Sequence, residues 1–260
     1  MDESLKELLR RLAERFNDPR YFTEDPIVFP RHFAAGLGGD GAAPEQQDEG
    51  GYCLQDVEIA SLMAGHLAWG RRAMIVRDCR RLFAQMRWRP YEYVMQGCWR
   101  DDPVSLHRTI KWSEIAAICS RLRDIYRHAA SIEGMSVAEI RTDIYGSRED
   151  KNAACKKINM IRRWLVRDDG LVDLGLWKNT DKRSLLIPLD VHVHRTAMAL
   201  GLSQRRSADM KTVIEITDAL KEVFPDDPCL GDFALFGAGV TAASLPQDGP
   251  AVCRGAGDKN

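Results

Sequence analysis

Asp190 is the residue with the plainest chemical use. An apolar stretch (Leu185, Leu186, Ile187) meets Pro188 and Leu189, and Asp190 then opens a segment of helical spacing that ends at Gly201. An Asp in that place is an N-cap, its oxygen accepting from the orphan amides of the first turn. The same placement aims a carboxylate out of the helix mouth, where it can stabilise a cation or activate a nucleophile. His192 and His194 stand two apart, so a regular helix points them about 160° from each other and they cannot hold one metal together. His192 and Arg195, close to helix N-terminal amides, suit an anion such as phosphate.

Two further groups carry charge in patterns worth weighing. Lys156 and Lys157 lie early in the segment 152–167, NAACKKINMIRRWLVR, which also holds Arg162, Arg163 and Arg167. Such a helix reads as a solvated basic face, with Ile158, Ile161, Trp164 and Leu165 turned inward. A lysine turned instead toward a cleft mouth loses solvent, and becomes an amine nucleophile. The segment 71–89 holds seven arginines against a single acid, Asp78. It is either a solvated helix face or a surface that meets phosphates.

Helices must position these groups. Apolar spacing predicts helices over 2–16, 54–68, 73–86, 112–130, 136–145, 152–167, 210–224 and 230–240, beside the one that Asp190 opens. Ser136 with Glu139 forms a capping-box pair, and Ser207 caps the helix at 210. Residues 54–68 and 73–86, joined across Trp69 and Gly70, make a helical hairpin. Residues 18–30, with three prolines, read as an extended or turning connector. No segment alternates at period two for long enough to predict a strand. The fold class is all-α. The chain divides into an N-terminal helix and connector (1–33), a flexible loop with six glycines (34–51), a helical domain of two lobes (52–240) and a tail (241–260).

The bulk numbers narrow the setting. The 260 residues are 45% hydrophobic and 29% charged, enough for a sizeable core. A formal net charge of −1 gives no whole-molecule pull toward a polyanion. The amphipathic start lacks a signal-peptide core and no long apolar run follows, so a cytoplasmic protein with no membrane contact is expected. The seven cysteines are scattered singly, which predicts free thiols. Without CxxC or paired Cys/His spacing, neither a metal site nor a cofactor is expected.

The run IPLDVHVHR resembles the signature of the helix-hairpin-helix DNA glycosylases, in which a Pro, one residue and an Asp open a helix. PLDVH is especially similar to the oxoguanine glycosylase branch. The resemblance implies a catalytic role for Asp190 and a phosphate contact for His192. LMAGHLAWGRRAMIVRDCRRLF resembles the superfamily segment whose inter-helix turn enters DNA near a lesion, which puts Trp69, Gly70 and Arg71 at that turn. The chain has AWGRR where the family commonly has a Gln or Asn, and no LPGVGxKTA run precedes Asp190. The interval of 34 residues from Lys156 to Asp190 is instead similar to the archaeal oxoguanine branch, and CKKINMIRRW to its lysine helix, with Lys156 at the lysine position. The iron–sulfur cysteines of the endonuclease III branch are absent. The span 54–240 also resembles an uncharacterised bacterial family with the same LDVH and KKxNMxxRW elements.

The resemblance implies a monomeric DNA N-glycosylase, with two helical lobes flanking a cleft, that flips a modified base out of double-stranded DNA. Asp190 would stabilise the sugar cation, and Lys156 would attack C1′ to give an AP-lyase Schiff base. The expected DNA contacts are Trp69, Gly70, Arg71, Arg72, Lys157, Lys178, Lys182, His192, His194 and Arg195. Trp177 and Phe233 are the aromatic candidates for a base pocket. The substrate is an oxidised purine such as 8-oxoguanine in repair, or a hypermodified cytosine of phage DNA in defence. The competing reading is a non-catalytic helical DNA-binding protein in which Asp190 only caps.

Overall fold

The computed structural model describes residues 1–37 and 51–244. Most of the expected loop, residues 38–50, and most of the expected tail, residues 245–260, lie outside the described residues. The described chain is mostly helical, with one small two-stranded sheet. No described helix is long and apolar enough to cross a membrane.

Helix α1 (Glu3–Phe16) starts where Asp2 Oδ1 accepts from the Leu5 amide at 2.8 Å, and buries Leu9, Ala13 and Phe16 on one stripe. The expected connector 18–30 is more ordered than its prolines suggest. It holds a 3-10 turn (Pro19–Phe22) and the start of α2 (Val28–Ala35). Pro30 sits in the first turn of α2, where its missing N–H has no intrahelical partner to lose. Helix α2 also takes in Ala34 and Ala35, the first residues of the expected loop.

Helix α3 (Leu54–Leu67) is the centre of the molecule. Every residue from Asp56 to Leu67 is buried, so no single apolar stripe marks it. Its buried Glu58 accepts from Tyr126 Oη at 2.9 Å, Ser131 Oγ at 2.5 Å and Trp177 Nε1 at 2.8 Å. Burial raises the Glu58 pKa, and these hydrogen bonds oppose the rise. A turn through Trp69 and Gly70 leads to α4 (Arg72–Gln85), followed by α5 (Pro90–Gln96). Gly70 has φ +103°, a backbone conformation that suits glycine.

A short antiparallel hairpin corrects the expectation of no strand: β1 (Ser105–His107) pairs with β2 (Ile110–Lys111). Strands of three and two residues leave no alternation to detect. Helix α6 (Trp112–Tyr126) follows directly. The segment expected at 136–145 is one α-turn, α7 (Val137–Glu139), opened by the Ser136–Glu139 capping box and continued as a π-turn through Ile144.

Helix α8 (Lys156–Val166) begins four residues later than the spacing predicts, because Cys155 takes a left-handed conformation (φ 48°) at its N-cap. It lies close against α3: a Cβ on Gly65 would come within 2.6 Å of Ile161. Helix α9 (Val191–Ala199) has Asp190 as N-cap, and α10 (Met210–Lys221) is capped by Asp209 rather than Ser207. The Asp209 carboxylate accepts from the Thr212 amide at 3.0 Å, and Ser207 offers its carbonyl to Thr212 Oγ1. Helix α11 (Leu230–Ser244) closes the described chain, packing against α1 and α9.

Candidate active site and nucleic-acid interface

The α9 mouth is built as its residues predict. Pro188 and Leu189 are buried, holding the approach in the core, while Asp190 is partly exposed. Asp190 Oδ1 accepts from the amides of His192 and Val193, each at 2.9 Å. Both cap bonds fall on one oxygen, so Oδ2 takes no part in the cap. Val191, 74% exposed, and exposed His192 stand beside this carboxylate, and Arg195 donates to His192 Nδ1 at 3.0 Å. His194 is used differently: its Nε2 pairs with the Arg205 carbonyl at 2.8 Å and ties α9 to the next loop.

Helix α11 packs against α9, and its buried Asp232 pairs with Arg163 of α8. Arg163 and Arg167 were expected on a solvated face. They are instead 6% and 1% exposed, held by Asp173, Asp227 and Asp232. Asp232 is pushed up to about 6, by burial first, with Arg163 opposing and the nearby charge of Asp190 adding to the rise. Asp190, Asp232 and Arg163 therefore share one neighbourhood. Lys156 stands two turns before Arg163 on α8, and residues seven apart lie on one helix face.

Lys157, expected to contact DNA, reaches toward α3. Its ammonium donates to the His66 carbonyl at 2.5 Å, near the C-terminal end of α3, where the helix dipole favours a cation. Burial lowers its pKa to about 8, the Lys156 charge adds to the fall, and Glu114 opposes it. His66 Nε2 pairs with Glu114 Oε1 at 2.8 Å, and its ring stacks on Tyr145 with centroids 5.0 Å apart.

The two pocket aromatics fall in the core. Trp177 is 1% exposed and spends its N–H on Glu58; Phe233 is 1% exposed beneath the guanidinium groups of Arg163 and Arg167, 4.6 and 5.0 Å from its centroid. Neither offers a free face to a flipped base. A mostly apolar cavity of about 240 Å³ lies instead beside Cys155, with Val137, Ala138, Ala153 and Met210 in its wall, next to the start of α8.

At the α3–α4 turn, Trp69 is partly exposed, and Gly70, Arg71 and Arg72 are exposed. Arg72 also lies over the Phe236 ring at 6.0 Å. Lys178 is exposed on the loop before α9, and Lys182 on the same loop pairs with Asp168 at 3.2 Å. Sequence reasoning missed Glu114, Asp232 and the hairpin residues His107 and Arg108. Each acts through a partner far away in the chain, which no local pattern marks.

The described fold is thus a helical protein with a capped carboxylate at the mouth of α9, a helix that begins with two lysines, and an arginine-rich helical hairpin. The chain belongs to the family described as "Protein of unknown function (DUF2400)", whose profile matches residues 52–241. No curated protein and no solved structure matches it.

Proposed function

We propose that this protein is a DNA glycosylase that excises a modified base, with Asp190 as its catalytic carboxylate and Lys156 as its nucleophile. The observation that carries the reading is the Asp190 cap. One oxygen is anchored by two amides and the other is left for an electrophile, at a helix mouth that also suits a phosphate. The Lys156 amine attacks C1′ of the extruded nucleotide, and the C1′–N bond breaks as the base leaves with its electron pair and picks up a proton. Asp190 stabilises the positive charge that develops on the sugar. Loss of the amine proton and opening of the sugar ring give the Schiff base. Without lysine attack, water takes its place and base release alone remains. Arg71, Arg72, His192 and Arg195 grip phosphates. The substrate is an oxidised purine such as 8-oxoguanine, or a hypermodified cytosine.

A panel of duplexes with oxidised, alkylated and hypermodified bases tests this. The native chain should release a base from at least one, and Asp190→Asn should abolish release while DNA binding stays. Borohydride should trap a protein–DNA adduct that vanishes in Lys156→Gln and persists in Lys157→Gln. One observation favours a non-catalytic DNA-binding protein instead: Asp190 has a complete structural task as a cap. The absence of any abasic product across the panel, with DNA binding retained, would favour that second reading.

A further inference from the structure

The cavity beside the start of α8 takes no part in the proposed reaction. It holds about 240 Å³, and Val137, Ala153, Cys155 and Met210 give it a mostly apolar wall. Three stretches of chain make it. The turn after α7 widens to π form, with the Tyr145 amide donating to the Ile140 carbonyl at 3.1 Å, and its Arg141 lines the cavity. Such widened turns recur at functional sites. The segment before α8 supplies Ala153 and the half-buried free thiol of Cys155. That segment is pinned to the start of α10, where the Met210 amide donates to the Asn152 carbonyl at 2.8 Å. The charged residues that line the cavity do not all cancel in pairs. Lys151 and Glu149 stand 4.0 Å apart and answer each other. Arg141 donates from Nε to the Arg148 carbonyl at 3.0 Å, and no acid pairs with it among the described residues. The Asp150 carboxylate accepts from the Asn152 amide at 2.9 Å, and no cation pairs with it among the described residues. An apolar chamber therefore carries one unmatched cation and one unmatched anion.

We propose that this cavity binds a free α-amino acid with an apolar side chain, its carboxylate on Arg141, its ammonium on Asp150 and its side chain in the chamber. The volume suits that occupant. A cavity of about 150 Å³ takes benzene, so about 240 Å³ takes a phenyl group and leaves room for the charged head. The thioether of Met210 in the wall favours an aromatic ring. A purely anionic ligand would leave Asp150 repelled, and a purely cationic one would do the same to Arg141. The end of a peptide carries only one of the two charges, whereas a free amino acid carries both on one carbon. The site is separate from the DNA reading and does not rest on it.

The test is calorimetric titration of the full chain with L-phenylalanine and three relatives. L-Phenylalanine should bind with a Kd of about 1 mM, the strength that suits a ligand of about 12 heavy atoms. Phenylalanine amide lacks the carboxylate charge, N-acetylphenylalanine lacks the ammonium, and alanine lacks the ring; each should bind about ten-fold more weakly. Arg141→Gln should no longer tell phenylalanine from its amide. Asp150→Asn should no longer tell phenylalanine from its N-acetyl form. Asp150 is exposed, and asparagine keeps an oxygen for the Asn152 amide, so the melt of that variant should match the native one. Iodoacetamide labelling read by peptide mass mapping locates the ligand. Phenylalanine at about ten times its Kd should slow labelling of Cys155 about ten-fold and leave the exposed Cys98 unchanged. No binding of phenylalanine, or equal binding of all four compounds, would overturn the proposal. Binding with unchanged Cys155 labelling would also overturn it, by placing the ligand elsewhere. Tighter binding of the amide or the N-acetyl form would overturn the free amino acid in favour of a peptide end.

Discussion

At the scale of single residues, one helical step of rotation separates two neighbouring lysines, and it is Lys157 whose ammonium donates to α3. Lys157 is half-buried against α3 and its pKa falls to about 8. The unfolded chain therefore binds more protons than the folded one between about pH 8 and the ordinary 10.5, and this group's contribution to stability rises with pH across that window. Urea midpoints taken at pH 7.5 and pH 10 should show that rise in the native protein and a smaller one in Lys157→Met. Equal pH dependence in the two would remove the desolvated ammonium from the account. A second expectation concerns Asp232. Burial raises it to about 6, and Asp190 supplies part of the rise. In Asp190→Asn the Asp232 carboxyl should titrate at lower pH, which carboxyl-carbon NMR can follow; an unmoved titration would separate the two residues. The capping role of Asp190 was legible because a cap is local: Pro, one residue, Asp, then helical spacing. The burial of Trp177 was not, because its partner Glu58 lies 119 positions away.

At the scale of elements, the close approach of α3 and α8 sets where the lysines stand. Gly65 permits it, since a Cβ there would fall 2.6 Å from both Cδ1 and Cγ1 of Ile161, a residue with no exposed surface. Gly65→Ala should gain ~1 kcal/mol in helix propensity yet lose more to overpacking, for a net loss of about 1–2 kcal/mol by urea denaturation. Shortening the neighbour in Gly65→Ala/Ile161→Val should cost less than the sum of the single changes, and strict additivity would place the strain elsewhere. Most helices could be read from apolar spacing, because amphipathic faces record burial within one element. Two features could not. The β1–β2 hairpin is shorter than one period of its own pattern. The solvated face read for Arg163 and Arg167 failed because their acids come from the following loop, from the stretch that leads into α11 and from α11 itself.

At the scale of the whole molecule, the family match and the core have different edges. The matched region begins at residue 52, yet α1, outside it, packs along α11 inside it. Phe16 sits at Gly237, where a Cβ would come within 2.2 Å of its ring, and Phe16, Tyr21 and Phe236 form an aromatic cluster with centroids 4.8 to 6.4 Å apart. Helix α11 also packs against α9, and its Asp232 reaches the neighbourhood of Asp190. Helix α1 therefore supports the α9 mouth from behind, through α11. Full burial of a Leu or Phe side chain is worth about 1.5–3 kcal/mol each. Leu9→Ala and Phe16→Ala should accordingly each cost about 2–5 kcal/mol, the lost transfer energy plus the cavity left behind. Both should also lower base release more than binding to the α4 surface, because the loosened element is the one behind the carboxylate rather than the one that bears the arginines. The decisive comparison is release rate against anisotropy-measured affinity at a temperature where each variant stays folded. A loss of stability with the two readouts falling in step would show that α1 serves the fold as a whole and does not hold α9 in place.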